Sequence, residues 1–378
     1  MPSLSSCLIC GGDRWQALPE VGPQSMASDW RVLPMPLRKR VCVDCGLVSS
    51  VAPPPSGLFE GGYSLYAHAP GAAPREQRRQ RLYARWIEHA RQRAGQSAPP
   101  ESVLDVGCGN GSLLMALGEL WPSATLAGCD PSAEAVAHAR GAGCRVWQGT
   151  ASSLPTDLEV DLVVSVNVIE HVDDPLAFLR TLGRRLSRDG LLALICPDGA
   201  RAGVELLIAD HAYSFAPSHL AAILERAQLG RRHLEAAPPD LGSFQIVVAD
   251  NRPGSSTPTV TTAIDSRRLG TYLQRWSALD GQLVSRLGNR GVSCFGVGEA
   301  AGLLRAYAPR TWQRVRSCTA DDITESSRFG LVPAVPLDQL ADDEPVLLAV
   351  RPLDQPGLVE RLSIRFARVI SWHDLIEA

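Results

Sequence analysis

The run Ser102-Val103-Leu104-Asp105-Val106-Gly107-Cys108-Gly109-Asn110-Gly111-Ser112 constrains the fold of this chain more than any other stretch. Its apolar first half reads as a buried strand, its glycines as a tight turn, and the sequence from Ser112 onward as a helix. A turn of this kind brings backbone N–H groups and the positive end of a helix dipole close to a ligand. From Ser102 to about Asp250, further strand-like runs alternate with helical ones, which predicts βαβ units and a mainly parallel sheet. The second strand, Thr125 to Cys129, ends in Asp130, and the third ends near Gly149 and Thr150. The fourth, Asp161 to Val166, runs into Asn167-Val168-Ile169-Glu170-His171.

At 378 residues the chain is too long for one ordinary core, and three segments can be read along it. Residues 1–55 are rich in Pro, Gly and Ser and end in Ala52-Pro53-Pro54-Pro55, a stiff linker pattern. Residues 56–250 open with a charged helix over Arg75 to Ala94, followed by the alternating region. Residues 251–378 predict a helix over Arg267 to Leu287 and a smaller α/β unit, with strands at Val292 to Val297, Pro345 to Val350 and Arg368 to Trp372. The net charge of -3 and the lack of a basic stripe argue against a nucleic-acid partner. No apolar run reaches the roughly 18 residues of a membrane span, and the N-terminus lacks a signal-peptide pattern. The expectation is a cytoplasmic protein, monomeric or weakly dimeric.

Ten cysteines divide into two groups. Cys7 and Cys10 form one Cys-x-x-Cys pair and Cys42 and Cys45 another, each followed by glycine, with 31 residues between the pairs. Four thiolates in tetrahedral reach suit a closed structural Zn²⁺ site, which leaves no open position for water. No βαβ pattern surrounds either pair, so a redox role is the poorer reading. The other six are scattered beside apolar runs and read as small buried hydrophobes.

A G-x-G-x-G turn alone does not select its ligand, because nicotinamide and flavin enzymes use similar turns. Asp105 before the glycines and Asp130 after the second strand narrow the choice. The whole series resembles the class I S-adenosylmethionine-dependent methyltransferases, whose core is Rossmann-like. The resemblance implies that Asp105, Gly107 and Gly109 hold the methionine part and Asp130 the ribose. It also implies Thr150 near the adenine and Asn167 near the methionine end. Such a site should present carboxylates or aromatic faces to the sulfonium cation rather than arginine.

A narrower resemblance rests on Met35 to Val48, Leu58-Phe59, Tyr63 to Tyr66, Asp210-His211-Ala212-Tyr213-Ser214-Phe215 and Gly242-Ser243-Phe244. These segments look like the zinc-containing sugar C-methyltransferases, which act on nucleotide-linked 4-keto deoxysugars. That family places a zinc module, a methyltransferase domain and a C-terminal Rossmann-like domain in this order. The chain departs from its pattern at Asp210, where the family has Glu, and at Ile208, where some members carry Tyr. Tyr213 is also shifted against the family's Tyr-Phe pair.

The resemblance implies a methyl transfer from S-adenosylmethionine to a small polar molecule, in which the protein supplies alignment and a base. His211 is the expected base, with Asp210 to orient it or bind substrate. His171 is expected to polarise a carbonyl oxygen or assist the base. Tyr63 and Tyr66 either close over the cofactor and sugar or pack between modules. Histidines 68, 89, 138, 219, 233 and 373 have no evident partners. Cys294-Phe295-Gly296-Val297-Gly298-Glu299 reads either as a diphosphate cradle or as a packing turn. N- or O-methylation of another small molecule, and methylation of RNA behind a zinc module, are the competing readings.

Overall fold

The computed structural model describes residues 6–51, 58, 72–252, 254, 264–288 and 290–377. Tyr63 and Tyr66, with the Pro53 to Pro55 linker, lie outside the described residues.

The N-terminal segment is more ordered than its composition predicts. It forms five short strands: β1 (Trp15–Ala17), β2 (Ser25–Met26), β3 (Val32–Leu33), β4 (Lys39–Cys42) and β5 (Val48–Ser50). Strands β1, β4 and β5 pair antiparallel in that order, and β2 pairs with β3 in a separate ribbon. Strands of two to four residues leave no periodicity to read, so the sequence gives no sign of them.

The central segment begins with α1 (Ala72–Arg93) and continues as β6 (Ser102–Val106), α2 (Ser112–Leu120), β7 (Thr125–Asp130), α3 (Ala133–Gly141), β8 (Arg145–Gln148), β9 (Val160–Val166), α4 (Pro175–Gly183) and β10 (Leu186–Pro197). It closes with β11 (Tyr213–Ser214), α5 (Pro217–Arg226), β12 (Gly230–Ala236) and β13 (Phe244–Asp250). Seven of these strands form one sheet in the order β12-β13-β10-β9-β6-β7-β8. Pairs β9–β10, β6–β9, β6–β7 and β7–β8 are parallel, whereas β13 runs antiparallel to both its neighbours. The chain works outward from β6 through β7 to β8 and then returns to the other side at β9. The crevice at the carboxyl ends of β6 and β9 is therefore the topological switch point, where ligands bind in such sheets. Side-chain caps fix where the flanking helices start. Ser132 accepts from Ala135 N ahead of α3, and Asp174 accepts from Ala177 N ahead of α4, whose first turn begins with Pro175.

The last segment contains α6 (Ser266–Leu287), β14 (Val292–Phe295), α7 (Glu299–Tyr307), β15 (Val315–Thr319), β16 (Ser327–Phe329), β17 (Val332–Ala334), β18 (Val346–Leu348) and β19 (Val369–Ile370). These strands form a second α/β layer in the order β16-β17-β15-β14-β18-β19, antiparallel only at β16–β17. Helix α6 buries Leu269, Leu273, Trp276, Leu279 and Leu283 at helical spacing, and Trp276 meets the rings of Tyr307 and Trp372 edge-on.

The N-terminal module is wedged between the two α/β units. Cys7, Cys42 and Leu47 share a core with Phe215, Leu220 and Ile223 of the central unit. Val21, Met26, Leu37, Val41 and Val48 share another with Leu273, Trp276, Leu304 and Tyr307 of the last. The central unit also donates β11, which pairs antiparallel with β5 and completes a four-stranded sheet. The Tyr307 hydroxyl ties all three segments together, accepting from Met26 N at 3.3 Å and donating to the Leu207 carbonyl. No described helix is long and apolar enough to cross a membrane.

Candidate active site

The turn after β6 holds three glycines in the left-handed region, with φ of 84° at Gly107, 52° at Gly109 and 82° at Gly111. They serve different ends. A Cβ on Gly107 would lie 2.3 Å from Val168 Cγ2, so this glycine lets the turn pack against the loop after β9. A Cβ on Gly109 would meet no atom within 4 Å, so its backbone faces open space in the crevice. The N–H groups of Gly107 and Cys108 both donate to the Cys129 carbonyl and fasten the turn to β7.

Along this edge the strands present polar groups in the spatial order Asn167, Asp105, Asp130, Thr150, about 4.8 Å apart from strand to strand. Asp130 Oδ2 accepts from Gly109 N and Oδ1 from Ser132 N, each at 2.9 Å. Burial raises the Asp130 pKa, and these two donors only partly offset the effect. Asp105 is 2% exposed, and its Oδ1 has no hydrogen-bond partner among the described residues. Burial, with the nearby Asp130 charge, pushes Asp105 up to about 8. Asn167 adopts φ of 56° and also buries an unpartnered Oδ1. Unsatisfied buried acceptors beside the glycine turn suit a cationic group on a ligand. Thr150 stands at the far end, its Oγ1 2.8 Å from Ser152 Oγ.

Beyond Asn167, the loop after β9 and the segment before β11 bring together a second group of polar side chains. One ligating atom each of Glu170, His171 and His211 lies within 4.8 Å of the others. The two imidazoles meet edge-to-face with centroids 4.9 Å apart. His171 Nδ1 lies 3.0 Å from the Asp210 carbonyl and 3.6 Å from its carboxylate. Burial drives the His211 pKa well below 6.5, and His171 and Lys39 add to the shift against Asp210, so His211 is a neutral base at pH 7. Glu170 buries both carboxylate oxygens without a partner among the described residues, and burial pushes it to about 8.

The expected pairing of Asp210 with His211 takes a different form. The fully buried Asp210 carboxylate accepts from Ser28 N at 2.8 Å and Ser28 Oγ at 2.5 Å, and its histidine neighbour is His171. Burial raises the Asp210 pKa, but His171, His211 and Ser28 outweigh it and hold the carboxyl below its ordinary value. Glu205 stands beside His211 instead, with Oε2 3.4 Å from Nδ1, and Ser214 Oγ donates to the same oxygen at 2.9 Å. Burial brings Glu205 to about 7 against the pull of Lys39. Glu205, Ser28 and Lys39 escape the reading by motif. Lys39 alone carries a signal, as the one lysine in 378 residues, set inside a strand.

The four N-terminal cysteines converge as their spacing predicts. Cys7 Sγ lies 3.5 Å from Cys45 Sγ and Cys10 Sγ 3.6 Å from Cys42 Sγ, and all four sulfurs are within 4.8 Å of one another. Thiolates at about 2.3 Å from a tetrahedral ion sit roughly 3.8 Å apart, so the cluster fits Zn²⁺. Gly11 N donates to the Cys7 carbonyl, Gly46 N to the Cys42 carbonyl, and Gly12 N to Cys10 Sγ at 3.4 Å, shaping both knuckles. His219, read as lacking a partner, is buried here. Its Nδ1 accepts from Ala216 N at 3.1 Å, and Nε2 lies 2.9 Å from the Cys45 carbonyl. It both caps α5 and pins the second knuckle to the central unit.

In the last segment, a Cβ on Gly296 would lie 2.1 Å from the Ala349 carbonyl, so this glycine serves close packing beside β18. Gly298, the residue before α7, has nothing within 4 Å of its Cβ position.

Residues 75–233 match the family described as "Methyltransferase domain", and this stretch is a methyltransferase domain. The chain is 38% identical over 97 residues to a ubiquinone biosynthesis O-methyltransferase of Azorhizobium caulinodans, covering 24% of this chain and 38% of that protein. It is 30% identical over 111 residues to a trans-aconitate 2-methyltransferase of Rhodococcus jostii, covering 29% and 44%. The match thus spans about two fifths of the length of these curated relatives. Among solved structures, that of the mitomycin 7-O-methyltransferase MmcR superposes with a TM-score of 0.40 at 21% identity, over 47% of this chain and 54% of that one.

Proposed function

We propose that this chain transfers the methyl group of S-adenosylmethionine to a small polar acceptor, and that the reaction is C-methylation beside the ketone of a nucleotide-linked deoxysugar. One observation carries the reading: Asp105, Gly109, Asp130 and Asn167 lie at or just past the carboxyl ends of β6, β7 and β9, and the loop that follows Asn167 brings His171 against His211. Bound S-adenosylmethionine supplies an electrophilic methyl carbon. His211, buried and neutral, takes the proton from the acceptor carbon through its imidazole. His171, backed by the Asp210 carboxylate, polarises the carbonyl oxygen and stabilises the enolate. The Cys7, Cys10, Cys42 and Cys45 thiolates hold one structural zinc ion.

The nucleotide-sugar part of the proposal rests on the order of a cysteine-rich module, a methyltransferase domain and a second α/β unit. The charge around His211 also bears on the acceptor. Glu170, Glu205 and Asp210 surround the pair, and the ammonium of Lys39 already makes three hydrogen bonds. Only Asp210 of these acids is held in its charged form, and an acceptor with several carboxylates would find the Lys39 ammonium already engaged, which favours a neutral keto or hydroxyl group at the reacting end. O-methylation is the second reading, favoured by the name of the Azorhizobium relative, with His211 deprotonating a hydroxyl instead.

Two measurements test the proposal. Calorimetry with S-adenosylhomocysteine should show binding that Asp130→Ala abolishes, and a wild-type chain that binds none would end the methyltransferase reading. A 4-keto deoxysugar nucleotide in D₂O should gain deuterium beside the ketone with wild type and not with His211→Ala. Equal exchange with both would remove His211 as the base.

A further inference from the structure

We infer that Lys39, Ser28 and Ser50 of the N-terminal module are positioning residues for Asp210 and His211, so that metal held by the cysteine cluster governs the geometry of the reacting site. The inference builds on the assignment of His211 as base under the proposed function. Lys39 lies 1% exposed, and its ammonium donates to Ser50 Oγ at 3.0 Å, the Ile208 carbonyl at 2.9 Å and the His211 carbonyl at 2.6 Å. An ammonium has three donors, and all three are used. Three converging acceptors fit a compact ammonium and not the planar fork of an arginine.

The ties continue residue by residue. Ala209 N donates to the Met26 carbonyl at 2.8 Å, and the Asp210 carboxylate takes both the N–H and the hydroxyl of Ser28. Ser50 Oγ donates to the His211 carbonyl at 2.8 Å, and Ser50 N to the Ala212 carbonyl at 2.9 Å. Tyr213 and Ser214 then pair with Ser49 and Val48. From 208 to 214 the chain thus belongs by sequence to the methyltransferase unit and by hydrogen bonding to the cysteine-rich module. A buried ammonium is expensive unless compensated, and the carboxylates acting on Lys39 are Glu205 and Asp210, which flank the two imidazoles. Strand β4 completes the connection, because it begins at Lys39 and ends at Cys42, one of the four thiol ligands.

The test uses the full-length, zinc-loaded protein. Hydrogen exchange is followed by mass spectrometry over 205–214, the histidine rings by ¹⁵N NMR, and cofactor affinity by calorimetry with S-adenosylhomocysteine. Lys39→Met should speed exchange over 205–214 by about tenfold and raise the His211 titration midpoint, since a neighbouring cation is removed. S-adenosylhomocysteine affinity should stay within about threefold of wild type. Ser28→Ala should shift the His171 resonances and Ser28→Thr should restore them. That pair of variants carries the test if Lys39→Met fails to fold. Stripping zinc with a chelator should speed exchange over 205–214 ahead of the β6–α2 turn. Exchange and histidine spectra that do not respond to these variants would overturn the inference. So would exchange that rises equally throughout the core, since the lysine would then serve folding alone. Failure of wild type to bind S-adenosylhomocysteine would instead sink the proposed function and leave the exchange result standing.

Discussion

Asp105 shows how a single buried acid couples folding to protons. Its pKa in the folded chain rises from an ordinary 3.8 to about 8 through burial. The folded protein therefore keeps a proton that the unfolded chain releases, and the stability tied to Asp105 declines as pH climbs through that window. The ligand-free thermal midpoint should fall over the same range, and Asp105→Asn should flatten the slope. Binding of the cationic cofactor favours the carboxylate, so S-adenosylmethionine should bind more tightly as pH rises toward 8, with release of a proton. Titration heats that do not vary between buffers of different ionisation enthalpy would refute this coupling. The glycines give a second prediction at this scale. Gly107→Ala drives a Cβ into Val168 and should cost roughly 2–3 kcal/mol in chemical denaturation. Gly109→Ala meets only the backbone penalty of about 1–2 kcal/mol, yet fills space facing the ligand, so it should fold and lose cofactor affinity. A Gly109→Ala protein with undiminished affinity would show that the cofactor does not pass that backbone.

Elements differ in how plainly they were written in the sequence, for physical reasons. The β6–turn–α2 unit is legible because its strand is buried on both faces and its turn needs glycines, so hydrophobicity and composition change together. Asp130 follows from its place at the end of β7, and the cysteine cluster from ligand spacing alone. Strands β1 to β5 carry no such mark. Strands β1, β4 and β5 are completed by β11, more than 150 residues away in the chain, and β2 and β3 pair with each other. Glu205 is equally silent, since it lies in a 3₁₀ turn with no motif and acts only through contacts made in three dimensions. The cysteine module should follow its metal. Structural zinc contributes on the order of 10–16 kcal/mol to comparable small sites, so a chelator should lower the melting temperature, with about one zinc per chain released in a dye assay. A chain that purifies without metal and melts unchanged in chelator would exclude a zinc role. His219→Ala should cost about 1–2 kcal/mol, because it removes both the cap on α5 and the hold on the Cys45 carbonyl.

At the scale of the whole molecule, the three segments legible in composition are not three independent bodies. The Pro-rich linker pattern suggests a tethered module, whereas the module is packed on two sides by cores that each include another segment. Tyr307→Phe keeps the ring contacts with Trp276 and deletes the hydroxyl between Met26 N and the Leu207 carbonyl. It should lower stability by about 1–2 kcal/mol while preserving a single calorimetric transition, and a split transition would show that the segments unfold separately.

The loan of β11 to the N-terminal sheet has a practical consequence for anyone cutting this protein. A fragment starting at α1 would retain all seven strands of the large sheet and look like a sound domain by sequence. It would also leave Tyr213 and Ser214 as a bare edge and strip the burial from Phe215 and Leu220, surfaces that invite pairing between copies. Such a truncation should come out as soluble aggregates or inclusion bodies, and co-expression with residues 1–58 in trans is the remedy the architecture suggests.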